Sequence, residues 1–144
     1  MGANEECGGR LQVIFDGDCG LCNRLVQWLL RRDRDRRLCF VAAGSAVGAA
    51  LLAKHRRDSA EASRTILVVR EASSEPGDML ARSEAVAAVL TELAPPWPLV
   101  AGVLRRIPLP VRDTGYRIVA RLRYRLLGPE SCRIPSAGDP RSLP

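Results

Sequence analysis

The chain has 144 residues, 47% of them hydrophobic, which suffices for one ordinary core and is too short for two. Its formal charge of +6 is almost wholly arginine, Lys54 being the only lysine, so charge alone is weak grounds for a nucleic-acid partner. Five cysteines, one tight pair and three singles, do not make the framework of a disulfide-stapled secreted domain, and the expected setting is the cytoplasm or a reducing organelle interior.

Residues 1–10 carry Glu5 and Glu6 and no apolar segment, so they read as a flexible N-terminus rather than a secretory or transit sequence. Residues 11–15 form an apolar run between Gly9 and Asp16-Gly17, the pattern of a buried strand entering a turn. From Gly20 the spacing becomes helical in Leu21, Leu25, Trp28 and Leu29, which predicts an amphipathic helix ending near Arg32. The charged stretch 31–37 is expected as a solvated helix end and turn. Residues 38–42 give a second strand, parallel to the first because a helix connects them.

Further along, residues 45–57 predict an Ala-rich helix capped by Ser45. Residues 65–69 predict a strand, 71–78 a loop, and 79–82 a short antiparallel edge strand. Ser83 is the expected cap of the next helix, which Pro95, Pro96 and Pro98 stop at Ala94. A short segment at 99–106, a turn at Pro108 and Pro110, and an Arg-rich helix from about Asp113 to Leu127 follow. In that helix Tyr116, Val119, Leu122 and Leu126 make a stripe that needs a core. The longest weakly apolar run, 41–53, is shorter than the roughly 20 residues that span a bilayer, so no membrane span is expected.

These elements predict an α/β fold, a thioredoxin-like mixed four-stranded sheet in the order βαβα-ββα with helices on both faces, plus an added C-terminal Arg-rich helix. The expected organisation is a single domain over 11–130, including that helical extension, with a tail at 131–144.

The chemistry is concentrated in Cys19-Gly20-Leu21-Cys22. Cysteines three apart in the first turn of a helix lie on one side within disulfide reach. The helix N-terminus favours the thiolate, most of all at the first cysteine. Cys19 is therefore the expected nucleophile and Cys22 the resolving thiol, with the Cys19-Cys22 disulfide as the only redox group and no cofactor or metal needed. Asp16, at the strand end, is a candidate proton acceptor for Cys22, and Asp18 a candidate helix cap. Cys7 and Cys39 have no partner by spacing, and mid-strand Cys39 reads as a small buried hydrophobe. Cys132 is a candidate extra resolving thiol or ligand.

The run Phe15-Asp16-Gly17-Asp18-Cys19-Gly20-Leu21-Cys22-Asn23 resembles the DCC family of thiol-disulfide oxidoreductases, named for its Asp and two Cys. The resemblance continues in Arg82-Ser83-Glu84-Ala85-Val86, in Tyr116-Arg117-Ile118-Val119-Ala120-Arg121 and in Cys132-Arg133-Ile134-Pro135. It implies a thioredoxin-like fold and dithiol exchange with client proteins or small thiols, recharged by an electron donor the sequence does not identify. Where thioredoxins place a cis-proline before the third strand, this chain has Ser63-Arg64-Thr65, which makes Arg64 a candidate flank of the site.

Two other readings compete. One is a cysteine-based metal site combining Cys19 and Cys22 with Cys39 or Cys132 and His55, although structural zinc usually needs a second close pair and His55 reads as part of a solvent-facing charged helix end. The other is a non-catalytic thioredoxin-like binding module whose Arg-rich C-terminal helix meets nucleic acid or an anionic partner.

Overall fold

The computed structural model describes residues 7, 9–17, 20–70, 78–127 and 142–143. Four strands were expected and four form the body of the sheet: β1 (Leu11–Phe15), β2 (Leu38–Ala42), β3 (Leu67–Arg70) and β4 (Leu80–Ala81). β1 pairs in parallel with β2 and antiparallel with β3, and β4 is the antiparallel edge beside β3. A two-residue strand from the expected tail, β5 (Ser142–Leu143), extends the other edge parallel to β2, giving the order β4-β3-β1-β2-β5. The fold is α/β and thioredoxin-like.

All five residues of β1 are buried, as a central strand covered on both faces requires. Alternation along the strands divides the core into two clusters. Leu11, Val13, Phe15, Leu38, Phe40 and Val68 point to one face. Helices α1 (Gly20–Arg32) and α4 (Arg82–Glu92) cover it with Val26, Leu29, Ala85, Ala88 and Val89. Ile14, Cys39, Val41, Leu67 and Val69 point to the other, beneath α2 (Ala46–Lys54) and α3 (Ser59–Arg64).

Ser45 caps α2 as expected, its Oγ accepting from Gly48 N at 3.0 Å. The helix expected over 45–57 ends early, at Lys54, and a second helix that was not expected, α3, follows it. Arg56 adopts φ +54° and Arg57 N donates to Leu52 O at 2.8 Å, a left-handed stop of the kind that ends helices. Asp58 then caps α3, with Glu61 in its first turn. His55 falls at this junction and is 3% exposed, so the solvent-facing expectation is corrected: the chain turns inward there. Burial first, then Lys54 and Arg57, hold its imidazole below the ordinary 6.5, with Asp78 opposing. The charged stretch 31–37 is likewise not all solvated. Buried Asp33 accepts from Arg37 N at 2.9 Å and Leu38 N at 3.1 Å, closing the turn into β2.

Cys39 is fully buried as expected, but it is not a lone thiol. It forms a disulfide with Cys7, Cα to Cα 5.8 Å, across 32 residues of sequence. Cys7, from the stretch expected to be flexible, is itself fully buried. Register explains the pairing: Cys39 sits beside Gln12 on β1, and the chain before β1 turns back there, Arg10 N donating to Cys7 O at 3.0 Å.

The segment expected to be merely short is a helix, α5 (Trp97–Arg106), and the last helix, α6 (Leu109–Leu127), begins earlier than expected. Both carry proline in the first turn, Pro98 and Pro110, where a missing amide costs nothing. Trp97 meets Trp28 of α1 edge to face at 4.7 Å, and the Arg32 guanidinium stacks on Trp28 at 4.0 Å. The expected stripe of α6 docks only in part. Tyr116 turns inward, whereas Val119 is 59% and Leu122 42% exposed, α6 packing against α4 and α1. Among the described residues, no helix is long and apolar enough to cross a membrane.

Candidate active site

Phe15 ends β1, Asp16 and Gly17 turn, and α1 starts at Gly20, so that Cys22 falls in the first turn of α1. Asp18 and Cys19 lie outside the described residues, as does Cys132. Buried Asn23 fastens the turn to the helix, its Nδ2 donating to Gly17 O at 3.0 Å. A polar amide in a buried helical position is itself a signal, since asparagine is a poor helix former that favours local backbone bonds.

Cys22 and Asp16, both half-buried, share the wall of a cavity of about 250 Å³. Leu25, Val26 and Leu29 of α1 line one side, Thr65 and Ile66 the floor, and Tyr116 and Val119 of α6 the far side. Leu25, expected in the core stripe, is 38% exposed because it stands at this opening. An apolar cavity with a few convergent polar groups is the usual form of a small binding site.

Tyr116 organises the side away from α1. Its hydroxyl oxygen accepts from Ile66 N at 2.9 Å and from Thr65 Oγ1 at 3.0 Å, and Thr65 Oγ1 accepts from Arg82 N at 3.2 Å. Ser83 does not cap α4 as expected; α4 has no side-chain cap. Its hydroxyl donates instead to Asp113 Oδ1 and accepts from Arg112 Nε at 3.0 Å, tying α4 to α6. The sequence placed Tyr116 in an apolar stripe and in a segment of the resemblance but gave no sign of its partners, which are 50 and 51 residues away. Three of the four segments that carry the resemblance, those holding Asp16 and Cys22, Arg82 and Val86, and Tyr116 and Val119, thus meet around one cavity.

Arg64 does not line that cavity. It lies in an adjoining groove, with Arg82, Arg117 and Arg121, which touches the cavity through Thr65, Tyr116 and Ala120. Cys39 faces the opposite side of the sheet from Cys22 and is bonded to Cys7, so Cys39 and Cys22 are not brought together as common ligands. Among the described residues, no group of three or more His, Cys, Asp or Glu side chains is placed to hold a metal ion.

The family model for DCC1-like thiol-disulfide oxidoreductases matches residues 13–129. The chain is 32% identical over 125 residues to the uncharacterized protein YuxK of Bacillus subtilis strain 168, covering 86% of each. It is 35% identical over 123 residues to the chloroplastic DCC family protein At1g52590 of Arabidopsis thaliana, covering 85% of this chain and 68% of that one. No solved structure matches at a comparable level.

Proposed function

The chain belongs to the DCC1-like thiol-disulfide oxidoreductase family, and from that premise we propose that Cys19 and Cys22 exchange a dithiol for a disulfide with client proteins or small thiols. The observation that carries the reading is the position of Cys22: in the first turn of α1, directly after the central strand, on the wall of a cavity it shares with Asp16. A helix N-terminus supports thiolate chemistry through its unpaired amides and dipole.

In the reducing direction, the Cys19 thiolate attacks one sulfur of the client disulfide. That S–S bond breaks, the second client sulfur leaves as a thiolate and takes up a proton, and a mixed disulfide joins Cys19 to the client. Cys22 then gives its proton to the Asp16 carboxylate and attacks Sγ of Cys19. A Cys19-Cys22 disulfide forms and the client leaves as its second thiol, having gained two electrons in all. A dithiol reductant restores the pair, and oxidation of a client dithiol is the same sequence reversed.

The test is dithiothreitol-driven reduction of insulin. Cys19→Ser is expected to abolish it with the fold intact by circular dichroism, and Cys22→Ser to accumulate mixed disulfides. Asp16→Asn is expected to slow resolution by roughly 10²-fold, the usual scale of a positioned general base. A Cys19→Ser protein as active as the parent would overturn the assignment.

A further inference from the structure

We propose that the groove formed by Arg64, Arg82, Arg117 and Arg121 docks acidic peptide segments, so that the preferred substrates are peptide disulfides with carboxylates beside their cysteines. The inference rests on the exchange chemistry proposed above and adds the substrate class. The groove, about 820 Å³, lies between α3, the start of α4 and α6, and continues into the apolar cavity through Thr65, Tyr116 and Ala120. A chain lying in it leads directly to the cavity that Cys22 lines.

Four guanidinium groups share the groove with two carboxylates, and both carboxylates are engaged. Asp58 accepts from Ala60 N at 3.2 Å as the cap of α3, and Glu61 is bridged by Arg57 at 2.8 Å. Arg82 stands 3.9 Å from Asp113. Arg64, Arg117 and Arg121, all exposed, have no carboxylate partner among the described residues. Like charges held together without partners repel one another, and a concave wall focuses their field outward, so the groove favours an anionic occupant. The planar guanidinium fork matches a carboxylate in two parallel hydrogen bonds.

Phosphates would satisfy the same arginines, but a nucleic acid brings no sulfur to Cys22. A peptide supplies the anion, the sulfur and apolar side chains for the cavity wall. Acidic peptide is therefore the occupant that uses the groove and the cavity together.

The experiment compares kcat/KM for peptide disulfides of equal length whose cysteines are flanked by Glu or by Gln, with oxidised glutathione as a third substrate. The Glu peptide is expected to be preferred about tenfold at low salt, the combined scale of several exposed ion pairs, and the ratio to fall to about twofold in Arg117→Gln/Arg121→Gln. Arg105→Gln/Arg106→Gln, with the same charge change outside the groove, should keep the ratio. A gain shared by glutathione makes a free small peptide sufficient; a gain confined to the longer peptide identifies a chain segment. Equal turnover of the Glu and Gln peptides would overturn the groove and leave exchange standing. A parallel measurement follows anisotropy of a labelled Glu peptide with serine for cysteine. If that peptide binds and loses affinity in Arg117→Gln/Arg121→Gln while no disulfide is turned over, exchange falls and the groove stands. Tighter binding of a single-stranded oligonucleotide than of the acidic peptide, through the same two arginines, would overturn the peptide assignment.

Discussion

On the face of the sheet beneath α2 and α3, Cys39 is fully buried and bonded to Cys7, and Gly48 packs so tightly that a Cβ there would lie 2.2 Å from the carbonyl oxygen of Ala42. On the face beneath α1 and α4, Cys22 is half-buried at the edge of a cavity of about 250 Å³, and α6 closes the far side through Tyr116 while much of its apolar surface stays exposed. One face uses sulfur as a staple in a closed layer. The other leaves sulfur where a second molecule can reach the cavity that holds it. On the exchange reading proposed for Cys22, burial and sequence spacing together sort the cysteines by role, since a sulfur sealed in apolar surroundings is kept from exchange.

The sharpest way to break this comparison is to remove the staple. Cys7→Ala/Cys39→Ala should cost about 2–4 kcal/mol in urea unfolding, the scale for a disulfide closing a loop of this kind, and leave insulin reduction at the Cys19-Cys22 pair in place. Loss of reduction in a folded double variant would mean that the two faces do not work separately. Gly48→Ala should cost roughly 1–3 kcal/mol because the neighbour it meets is backbone and cannot give way easily; an unchanged denaturation midpoint would show that α2 is less closely seated.

On the open face, Tyr116→Phe should cost about 1 kcal/mol, since Ile66 N and Thr65 Oγ1 lose their acceptor. It should also lower reduction of peptide disulfides, because the wall between cavity and groove loosens; a stability loss without a rate effect would confine Tyr116 to a structural role. The smallest expected effect belongs to His55. Its folded pKa lies below 6.5, so below that pH the unfolded chain binds the proton more readily and stability falls as pH drops, until the folded pKa is passed. His55→Gln should flatten that slope below pH 6.5; an identical slope would place the titration elsewhere.

The fold was largely legible because its signals are local. The apolar runs of β1, β2 and β3 and the change to helical spacing at Gly20 each sit within one short window. The helix α3 was missed: Asp58 and Glu61, three apart, make a capping pattern, but the Arg-rich stretch before it obscured that signal. The start of α5 was hidden because Pro98 reads as a breaker in sequence, although the first turn tolerates it. The site was legible only along its own segment. Nothing near Cys7 points to Cys39, and nothing near Tyr116 points to Thr65 and Ile66; those contacts exist only once the sheet has brought distant segments together. The unequal docking of α6 was equally out of reach, because a stripe such as Tyr116, Val119 and Leu122 says that a helix has an apolar side and not how much of it is covered.

Trp28 and Trp97, the chain's two tryptophans, touch one another, and Arg32 stacks against both. Tryptophan fluorescence, excited where tyrosine does not absorb, therefore comes from a single spot, the seam between α1 and α5. Because α1 also carries Cys22, emission intensity offers a label-free optical gauge of how that helix is seated, readable during oxidation, reduction or client release without attaching a dye.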